Sequence, residues 1–333
     1  MSVYIIAEAG VNHNGRLDLA LKLCDAAKDA GVDAVKFQTW NTENIVTASA
    51  RQAAYQTENT GVEESQYDML KKLELSYAHF EEIQHYCKKI GIDFLSTPDE
   101  EESLEFLMNT LHLPLVKIGS GEVTNIPYLR TIASYQKPVI LSTGMSTLAQ
   151  VAVAYDTLLN AGAPSVSLLH CTTNYPCPYD EVNLRAMQTL KDAFKCKVGY
   201  SDHTMGTEIP VAAVAMGAEI IEKHLTLDSN MEGPDHKASM EPQELKLMVQ
   251  QIRHIETALG DGIKRPNKSE VENAKVVQKS ILAKRPIKKG GLLSADNLTV
   301  KRAGKGISAS LWDSVIGAPA IKDYDIDEPI KLY

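Results

Sequence analysis

The chain has 333 residues, of which 44% are hydrophobic and 23% charged, and its net charge is -9 at pH 7. These values indicate a folded globular protein with one large core and room for a small satellite domain, and they exclude disordered and fibrous classes. The acidic balance argues against a general nucleic-acid binder, because duplex affinity depends on clustered Lys and Arg.

The first segment, MSVYIIAEAG, has an apolar run that is too short for a signal sequence and has no basic residues before it. No later stretch approaches the length that spans a membrane. We therefore expect a cytoplasmic protein without a membrane partner. The five cysteines form no CxxC pair and are odd in number, so we expect reduced and mostly buried thiols.

Short apolar, β-branched runs alternate with longer amphipathic ones from Tyr4 to about Leu259. About eight strand–helix units in succession predict a TIM (β/α)8 barrel of ~250 residues. A doubly wound sheet is the alternative, but it would normally carry a glycine fingerprint after the first strand, and none is present. The predicted strands are YIIAEAG, AVKFQTW, DFLSTP, LVKIGSGE, PVILSTGM, VSLLHCTTNYP, KVGYSDHT and EIIEKHLT.

The longest interruption of this alternation follows the second strand. It reads NTENIVTASARQAAYQTENTGVEESQYDML, and it predicts an insertion with its own helix over the barrel mouth. After the last barrel helix, ALGDGIKRPNKSEVENAK is typical of a polar linker, and the remainder has short strands, many turns and little helix. We predict a catalytic barrel over residues 1–260, a linker over 261–279 and a small β-rich domain over 280–333.

Polar side chains follow every predicted strand. Because a TIM barrel places its catalytic groups at the carboxyl ends of its strands, these residues are the candidates for an active site. In strand order they are Glu8, Asn12 and His13; Lys36 and Gln38; Ser96 and Thr97; Lys117, Ser120 and Glu122; Ser142 and Thr143; Thr172, Thr173, Asn174 and Tyr175; Ser201, Asp202 and His203; Glu222 and His224.

Several of these candidates also have an ordinary structural explanation. A lysine at a strand end is more often solvated or salt-bridged than a ligand clamp, but Lys36 and Lys117 both lie inside apolar runs, which favours an anion site. The serines and threonines could cap the following helices. Capping is compatible with phosphate binding, since both use the free N–H groups of a helix N-terminus.

His203 and His224 end neighbouring predicted strands, where they can share one metal ion. Two imidazoles among many oxygen groups suit an open Mn²⁺ or Mg²⁺ site better than structural zinc. His236, in MEGPDHKAS, is an alternative ligand. Taken alone, these residues predict metal-assisted C–C bond or phosphate-ester chemistry on a small anionic substrate, with proton transfer by carboxylates from the set Glu8, Glu122, Asp202, Glu222 and Asp235.

The ordered motifs IIAEAGVNHNG, VKFQT, FLSTP, KIGSGE, ILSTGM, LLHCTTNYP, GYSDHT, IEKHLT and GPDHKAS resemble the sialic acid synthase family. The final segment, KSILAKRPIKKGGLLSADNLTVKRAGKGIS, resembles the antifreeze-like (SAF) domain of that family. The resemblance covers nearly the whole chain. Nine motifs in one order are far more specific than any one of them.

The resemblance implies a transferase that condenses phosphoenolpyruvate with N-acetylmannosamine, in its open-chain aldehyde form, to give N-acetylneuraminate and phosphate. It implies a divalent metal, Mn²⁺ first, with Mg²⁺ or Co²⁺ as alternatives. The alternative activity is N,N'-diacetyllegionaminate synthesis from 2,4-diacetamido-2,4,6-trideoxymannose. More distant alternatives are a metal-dependent aldolase, which would not consume phosphoenolpyruvate, and an ice- or polysaccharide-binding role for the small domain.

The resemblance also assigns roles to residues. It makes His203 and His224 the metal ligands and Arg302, in TVKRAGKG, a sugar-binding residue supplied by the neighbouring subunit, which implies a domain-swapped homodimer. The loop reads RAGKG where RPGNG is frequent, so Ala303 and Lys305 alter the loop and not the arginine. The implied catalytic residues are Glu8, Glu122, Lys36 and Lys117; the implied substrate-binding residues are Gln38, Asn59, Thr97, Ser120, Ser142, Thr173, Asn174, Tyr175, Ser201 and Asp235.

Overall fold

The computed structural model describes residues 2–52, 56–57 and 61–333. The chain divides after Gly260 into two compact units, and each has its own hydrophobic core. The cysteines are all free thiols, and four of the five are buried. In the described ranges, every helix is either too short or too polar to cross a lipid bilayer.

The first unit is built on eight parallel strands in the spatial order β3-β2-β1-β8-β7-β6-β5-β4. The two end strands of this order, β3 and β4, contact each other, so the sheet curls round into the predicted TIM barrel. The bounds are β1 Tyr4–Gly10, β2 Ala34–Thr39, β3 Asp93–Pro98, β4 Val116–Ile118, β5 Val139–Ser142, β6 Val166–His170, β7 Val198–Asp202 and β8 Ile220–His224.

Helices follow the strands and pack on the outside of the barrel. Several begin at a side chain that accepts a backbone N–H, as at Ser76 and Thr147, and Gly31 and Gly91 end two of them in the left-handed conformation. The bounds are α1 Leu17–Ala30, α2 Thr42–Ile45, α3 Gln66–Leu73, α4 Tyr77–Ile90, α5 Glu101–Glu105 with a π-helical continuation Phe106–Thr110, α6 Ile126–Ser134, α7 Leu148–Asn160, α8 Arg185–Phe194, α9 Glu208–Ala215 and α10 Pro242–Leu259.

The interior of the barrel is layered along the strands. One apolar layer contains a buried cluster of side chains from six strands, namely Ile6, Ala34, Leu95, Ile140, Leu169 and Ile220, and Leu115 packs against it. Alternate residues of a strand point to the same face. The next layer toward the carboxyl ends of the strands is therefore polar. It consists of the residues two positions further along each strand, which include Glu8, Lys36, Thr97, Lys117, Ser142 and Glu222. This layer forms the floor of the barrel mouth.

Gly199 is the contribution of β7 to the apolar layer, and its lack of a side chain is required there. A Cβ at this position would lie 2.2 Å from the carbonyl oxygen of Ile220 and 2.7 Å from Leu169 Cδ2. We expect Gly199→Ala to lower the free energy of unfolding by about 1–3 kcal/mol, the usual cost of overpacking, as measured by urea denaturation. Gly119→Ala is the control, because a Cβ there meets nothing within 4 Å. Equal stability of the two variants would contradict this account.

The insertion after β2 contains α2 and α3, in agreement with the predicted helix. Trp40, Met69 and Leu73 form a small buried cluster with Val11, which fixes the insertion to the end of β1. Asn59 lies outside the described residues.

The second unit carries the antiparallel pair β9 Lys279–Ala283 and β10 Leu298–Arg302. Its core includes Ile281, Leu298 and Tyr324, and the short helix α12 Trp312–Val315 adds Val315. The expected polar linker contains a helix, α11 Lys268–Val277, which begins at a capping box formed by Asn267 and Glu270. The unit otherwise contains turns and isolated β-bridges.

Candidate active site

A cavity of about 190 Å³ lies at the carboxyl ends of the barrel strands. A larger one, of about 910 Å³, lies at the opposite ends beside Tyr4, Val139 and Ile220, where TIM barrels do not carry their active sites. The smaller cavity brings together most of the residues singled out in the sequence: Glu8, Lys36, Gln38, Thr97, Lys117, Ser120, Ser142, Thr173, Tyr175, Ser201, His203 and His224.

Among the residues that the resemblance makes catalytic or substrate-binding, Glu122, Asn174 and Asp235 lie outside the lining that the described residues form. Glu122 follows β4 in a 3-10 turn, and its Oε2 accepts a hydrogen bond from Asn125 Nδ2 at 2.7 Å. Asp235 Oδ2 lies 4.0 Å from His224 Nδ1, just behind the cavity wall. Arg302 ends β10 in the second unit.

Two buried ammonium groups share one carboxylate on the floor of the cavity. Glu222 Oε2 lies 3.7 Å from Lys36 Nζ, and Glu222 Oε1 lies 3.5 Å from Lys117 Nζ. Lys36 Nζ also lies 2.5 Å from Glu8 Oε2. The four side chains are at most 5% exposed, so their charges interact with little screening by water.

Burial and these neighbours shift the pKa values in different directions. Burial, reinforced by Glu222, raises the pKa of Glu8 to about 7 despite Lys36. Burial also opposes the charge on Glu222, but Lys117 and Lys36 outweigh it and bring the pKa of Glu222 down to about 2. Burial lowers the pKa of Lys117. Glu8 is therefore suited to exchanging a proton near neutral pH, whereas Glu222 stays ionised.

Hydroxyl groups surround the two lysines. Lys117 Nζ donates to Ser142 Oγ at 2.7 Å, Lys36 Nζ donates to Thr97 Oγ1 at 3.1 Å, and Ser201 Oγ donates to Glu222 Oε1 at 2.8 Å. At Gly144, whose N–H donates to Ser120 Oγ, a Cβ would lie 2.3 Å from Thr173 Oγ1. The wall thus offers hydroxyl groups beside two cations, which suits a phosphate or carboxylate.

His203 and His224 form another part of the cavity wall, with ring centroids 5.4 Å apart. The ring of Tyr175 packs against both, at 4.1 Å and 5.3 Å. Burial lowers the pKa of His203, and burial together with His203 lowers the pKa of His224 well below its ordinary value. Both imidazoles are therefore neutral at pH 7, the form that binds a metal.

The hydrogen bonds of the two rings fit a metal site. The Thr172 carbonyl can only accept, so His203 Nδ1, at 2.6 Å from it, carries the proton and Nε2 keeps its lone pair. His224 Nδ1 is buried without a hydrogen-bond partner in the described part of the chain. The same residues offer no group of three or more His, Cys, Asp or Glu side chains arranged for a metal. Among the described residues, a metal bound here would therefore have these two imidazoles, and no larger group of such side chains, as its protein ligands.

His236, the alternative ligand, is engaged elsewhere. Its Nδ1 lies 2.6 Å from Thr226 Oγ1 and its Nε2 lies 3.1 Å from Asn14 Oδ1, so both ring nitrogens already have partners. The expectation that Asp202 faces the barrel mouth is wrong. Asp202 lies between Ser201 and His203, which line the cavity, and it points to the other face, where it binds Lys223.

Three lining side chains, those of Asp99, Met145 and Cys171, were not singled out in the sequence, and a fourth, Glu222, was named only within a set of carboxylates. Glu222 stood among the candidate carboxylates, but its position between two lysines depends on three strands meeting. Asp99 lies two residues beyond Thr97 and could have been found by the same alternation that places Thr97; burial raises its pKa to about 7. Met145 and Cys171 complete the wall, and their residue types carry no signal for an active site.

Comparisons with known proteins agree with the resemblance. A profile of the NeuB family matches residues 23–264, and one of the SAF domain matches residues 278–332. The N,N'-diacetyllegionaminic acid synthase of Campylobacter jejuni is 54% identical over 329 residues, covering 98% of each chain. The protein of the same name from Legionella pneumophila is 47% identical, covering 96% of this chain and 90% of that one.

Solved structures include a similar fold. The N-acetylneuraminic acid (sialic acid) synthetase of Leptospira borgpetersenii, crystallised with citrate, superposes with a TM-score of 0.72. It is 36% identical, covering 83% of this chain and 91% of that one. Both the barrel and the family resemblance expected from the sequence are thus confirmed.

Proposed function

This chain belongs to the NeuB family of nonulosonic acid synthases, and from that premise we propose that it makes N,N'-diacetyllegionaminic acid from phosphoenolpyruvate and 2,4-diacetamido-2,4,6-trideoxymannose. The observation that carries the choice of sugar is the identity to two proteins named for that product, 54% and 47%, against 36% to the neuraminic acid synthetase. The comparisons thus favour the alternative activity over N-acetylneuraminate synthesis, which was the leading expectation from the sequence.

Two groups of lining residues support separate binding positions for the two substrates. We assign phosphoenolpyruvate to the side with Lys36 and Lys117, where two ammonium groups and several hydroxyls face a small space. We assign the sugar aldehyde to the side with His203, His224 and Tyr175. A divalent ion held by the two imidazoles, Mn²⁺ in this proposal, would supply Lewis-acid polarisation of the aldehyde oxygen.

The proposed reaction forms one C–C bond and replaces the C2–O bond to phosphate with a C2–O bond to water, whose two protons balance those that the aldehyde oxygen and the departing phosphate gain. The C3 carbon of phosphoenolpyruvate bonds to the aldehyde carbon, and the aldehyde oxygen gains a proton and becomes a hydroxyl. Water adds at C2, the bond from C2 to the phosphate oxygen breaks, and phosphate leaves as the 2-keto group forms. Glu8 lies in the cavity with a pKa of about 7, so it is our candidate for exchanging these protons.

Glu122 and Arg302 were both expected at the substrate, and Glu122 is not among the described residues that line the cavity. Glu122, expected to handle the water, accepts a hydrogen bond from Asn125, so its participation requires this hydrogen bond to break. Arg302 belongs to the second unit. We retain the proposal that a partner subunit supplies it to the N-acyl group of the sugar within a homodimer.

The test is a comparison of two sugars in the presence of phosphoenolpyruvate and Mn²⁺. We expect kcat/KM for 2,4-diacetamido-2,4,6-trideoxymannose to exceed that for N-acetylmannosamine by about 10- to 100-fold or more, because a site built to pair a second acetamido group leaves polar atoms unpaired without it. Phosphate release gives the rate, and mass spectrometry identifies the product.

Two controls separate the alternatives. A preference for N-acetylmannosamine would restore the neuraminate activity as the better proposal. Cleavage of the nonulosonic acid to pyruvate and the sugar, with no phosphate present, would indicate an aldolase instead.

A further inference from the structure

A buried ion pair lies behind the two histidines, on the outward face of β7 and β8. Lys223 Nζ lies 2.6 Å from Asp202 Oδ2, and both side chains are at most 2% exposed. Asp202 and Lys223 stand opposite each other in the register of the two strands. Each is followed directly by a histidine of the cavity wall.

The same ammonium group reaches across His203. Lys223 Nζ also donates to the carbonyl oxygen of Thr204, so it contacts the residues on both sides of His203. Asp202 Oδ1 accepts from Thr204 N at 3.0 Å and from Thr204 Oγ1 at 2.8 Å, which closes a tight turn with His203 at its centre. The backbone of His203 is thus fixed relative to the residue that precedes His224.

Stability alone is a poor reason for this arrangement. The outward face of a barrel strand packs under helices, and an apolar pair of similar volume there is often as stabilising as an ion pair or more so, because burying two charges is costly. An apolar pair, however, would not hold the carbonyl of Thr204. What the ion pair adds is a defined spacing between the ends of β7 and β8.

We propose that Lys223 is a positioning residue that sets the separation of the His203 and His224 rings through Asp202 and Thr204. This inference rests on the proposed metal site. A metal ion held by these two imidazoles would depend on the separation and orientation of the two rings. Groups that orient ligands in this way typically change metal affinity by about 10- to 100-fold when they are replaced.

The test is the double variant Lys223→Met with Asp202→Asn in the full chain. It removes both charges together, so no unpaired charge stays buried, and the new amide oxygen can still accept from Thr204 N. We expect the dissociation constant for Mn²⁺, measured by calorimetry without substrates, to rise about 10- to 100-fold. Excess Mn²⁺ should then restore turnover, which it would not do for a misfolded site.

Asp33→Asn is the matched control. It weakens the ion pair between Asp33 and Arg253, whose atoms lie 3.0 Å apart before the start of β2, at the other end of the barrel. We expect this variant to lose stability with no change in Mn²⁺ affinity. Thr204→Val is a milder second variant that keeps the ion pair and removes one hydrogen bond to Asp202. Like the double variant, it should raise the dissociation constant for Mn²⁺.

The outcomes separate the inference from the metal site itself. If the unaltered protein binds Mn²⁺ and both the double variant and Thr204→Val bind it equally well, the positioning role is refuted and the metal site stands. If the unaltered protein binds no Mn²⁺, the metal site is refuted and the positioning role with it.

Discussion

Replacing Lys117 with methionine should lower kcat/KM for phosphoenolpyruvate by about 100- to 1,000-fold, the usual loss when one group that stabilises developing charge is removed from a buried site. Lys117 lies 3.5 Å from Glu222 and donates to Ser142 Oγ, so its charge is held at the floor of the cavity. Methionine keeps most of the side-chain volume and loses only the ammonium group. Steady-state phosphate release at varied phosphoenolpyruvate measures the effect.

The same substitution should also change the ionisation of the floor. Of the two lysines beside Glu222, only Lys36 would then remain. The pKa of Glu222, about 2 in the intact site, should therefore rise. Lys191→Met is the control, because Lys191 is 44% exposed and lies 3.8 Å from Glu219 away from the cavity. A Lys117→Met variant that kept kcat/KM within a few-fold of the unaltered protein would show that the anion binds elsewhere.

Replacing His203 with alanine should abolish metal-dependent turnover, a loss of about 1,000-fold or more if the ion supplies several kcal/mol of charge stabilisation. Folding should be largely preserved, since a side chain just beyond a strand end contributes little to the core. The measurements are Mn²⁺ content after equilibrium dialysis, the rate with saturating substrates, and the urea midpoint.

His254→Ala provides the comparison for this experiment. His254 lies on α10 and is exposed, so its loss should alter neither metal content nor rate. Turnover by the His203→Ala variant at ordinary Mn²⁺ concentrations would mean that the two imidazoles do not hold the ion.

Much of the fold follows from local patterns. Each predicted strand contains an observed one, since eight short apolar runs separated by amphipathic segments leave few arrangements other than a barrel. The errors lie where the apolar run and the strand differ in length. The run LVKIGSGE predicted a long fourth strand, but β4 ends at Ile118, because the Ser120–Thr124 segment forms a 3-10 turn. That turn carries Glu122 away from the cavity.

The candidate site was less predictable than the fold. Alternation places Glu8, Lys36 and Thr97 on one face from sequence alone, and the same rule applied strictly would have assigned Asp202 to the outside. Contacts between side chains of different strands could not be predicted in this way. The sharing of Glu222 by Lys36 and Lys117, and the ion pair of Lys223 with Asp202, depend on barrel register, which no single strand encodes.

The layered interior has a consequence for how such an enzyme can be altered. The apolar cluster that includes Ile6, Leu95 and Ile220 lies one layer below the residues that line the cavity. Substitutions at Thr173 or Met145, above the charged floor, should therefore broaden or narrow the range of accepted sugars at little thermodynamic penalty. Laboratory evolution toward new nine-carbon acids should therefore accumulate substitutions at positions such as Thr173 and Met145. The polar floor and the apolar layer beneath it should stay unchanged.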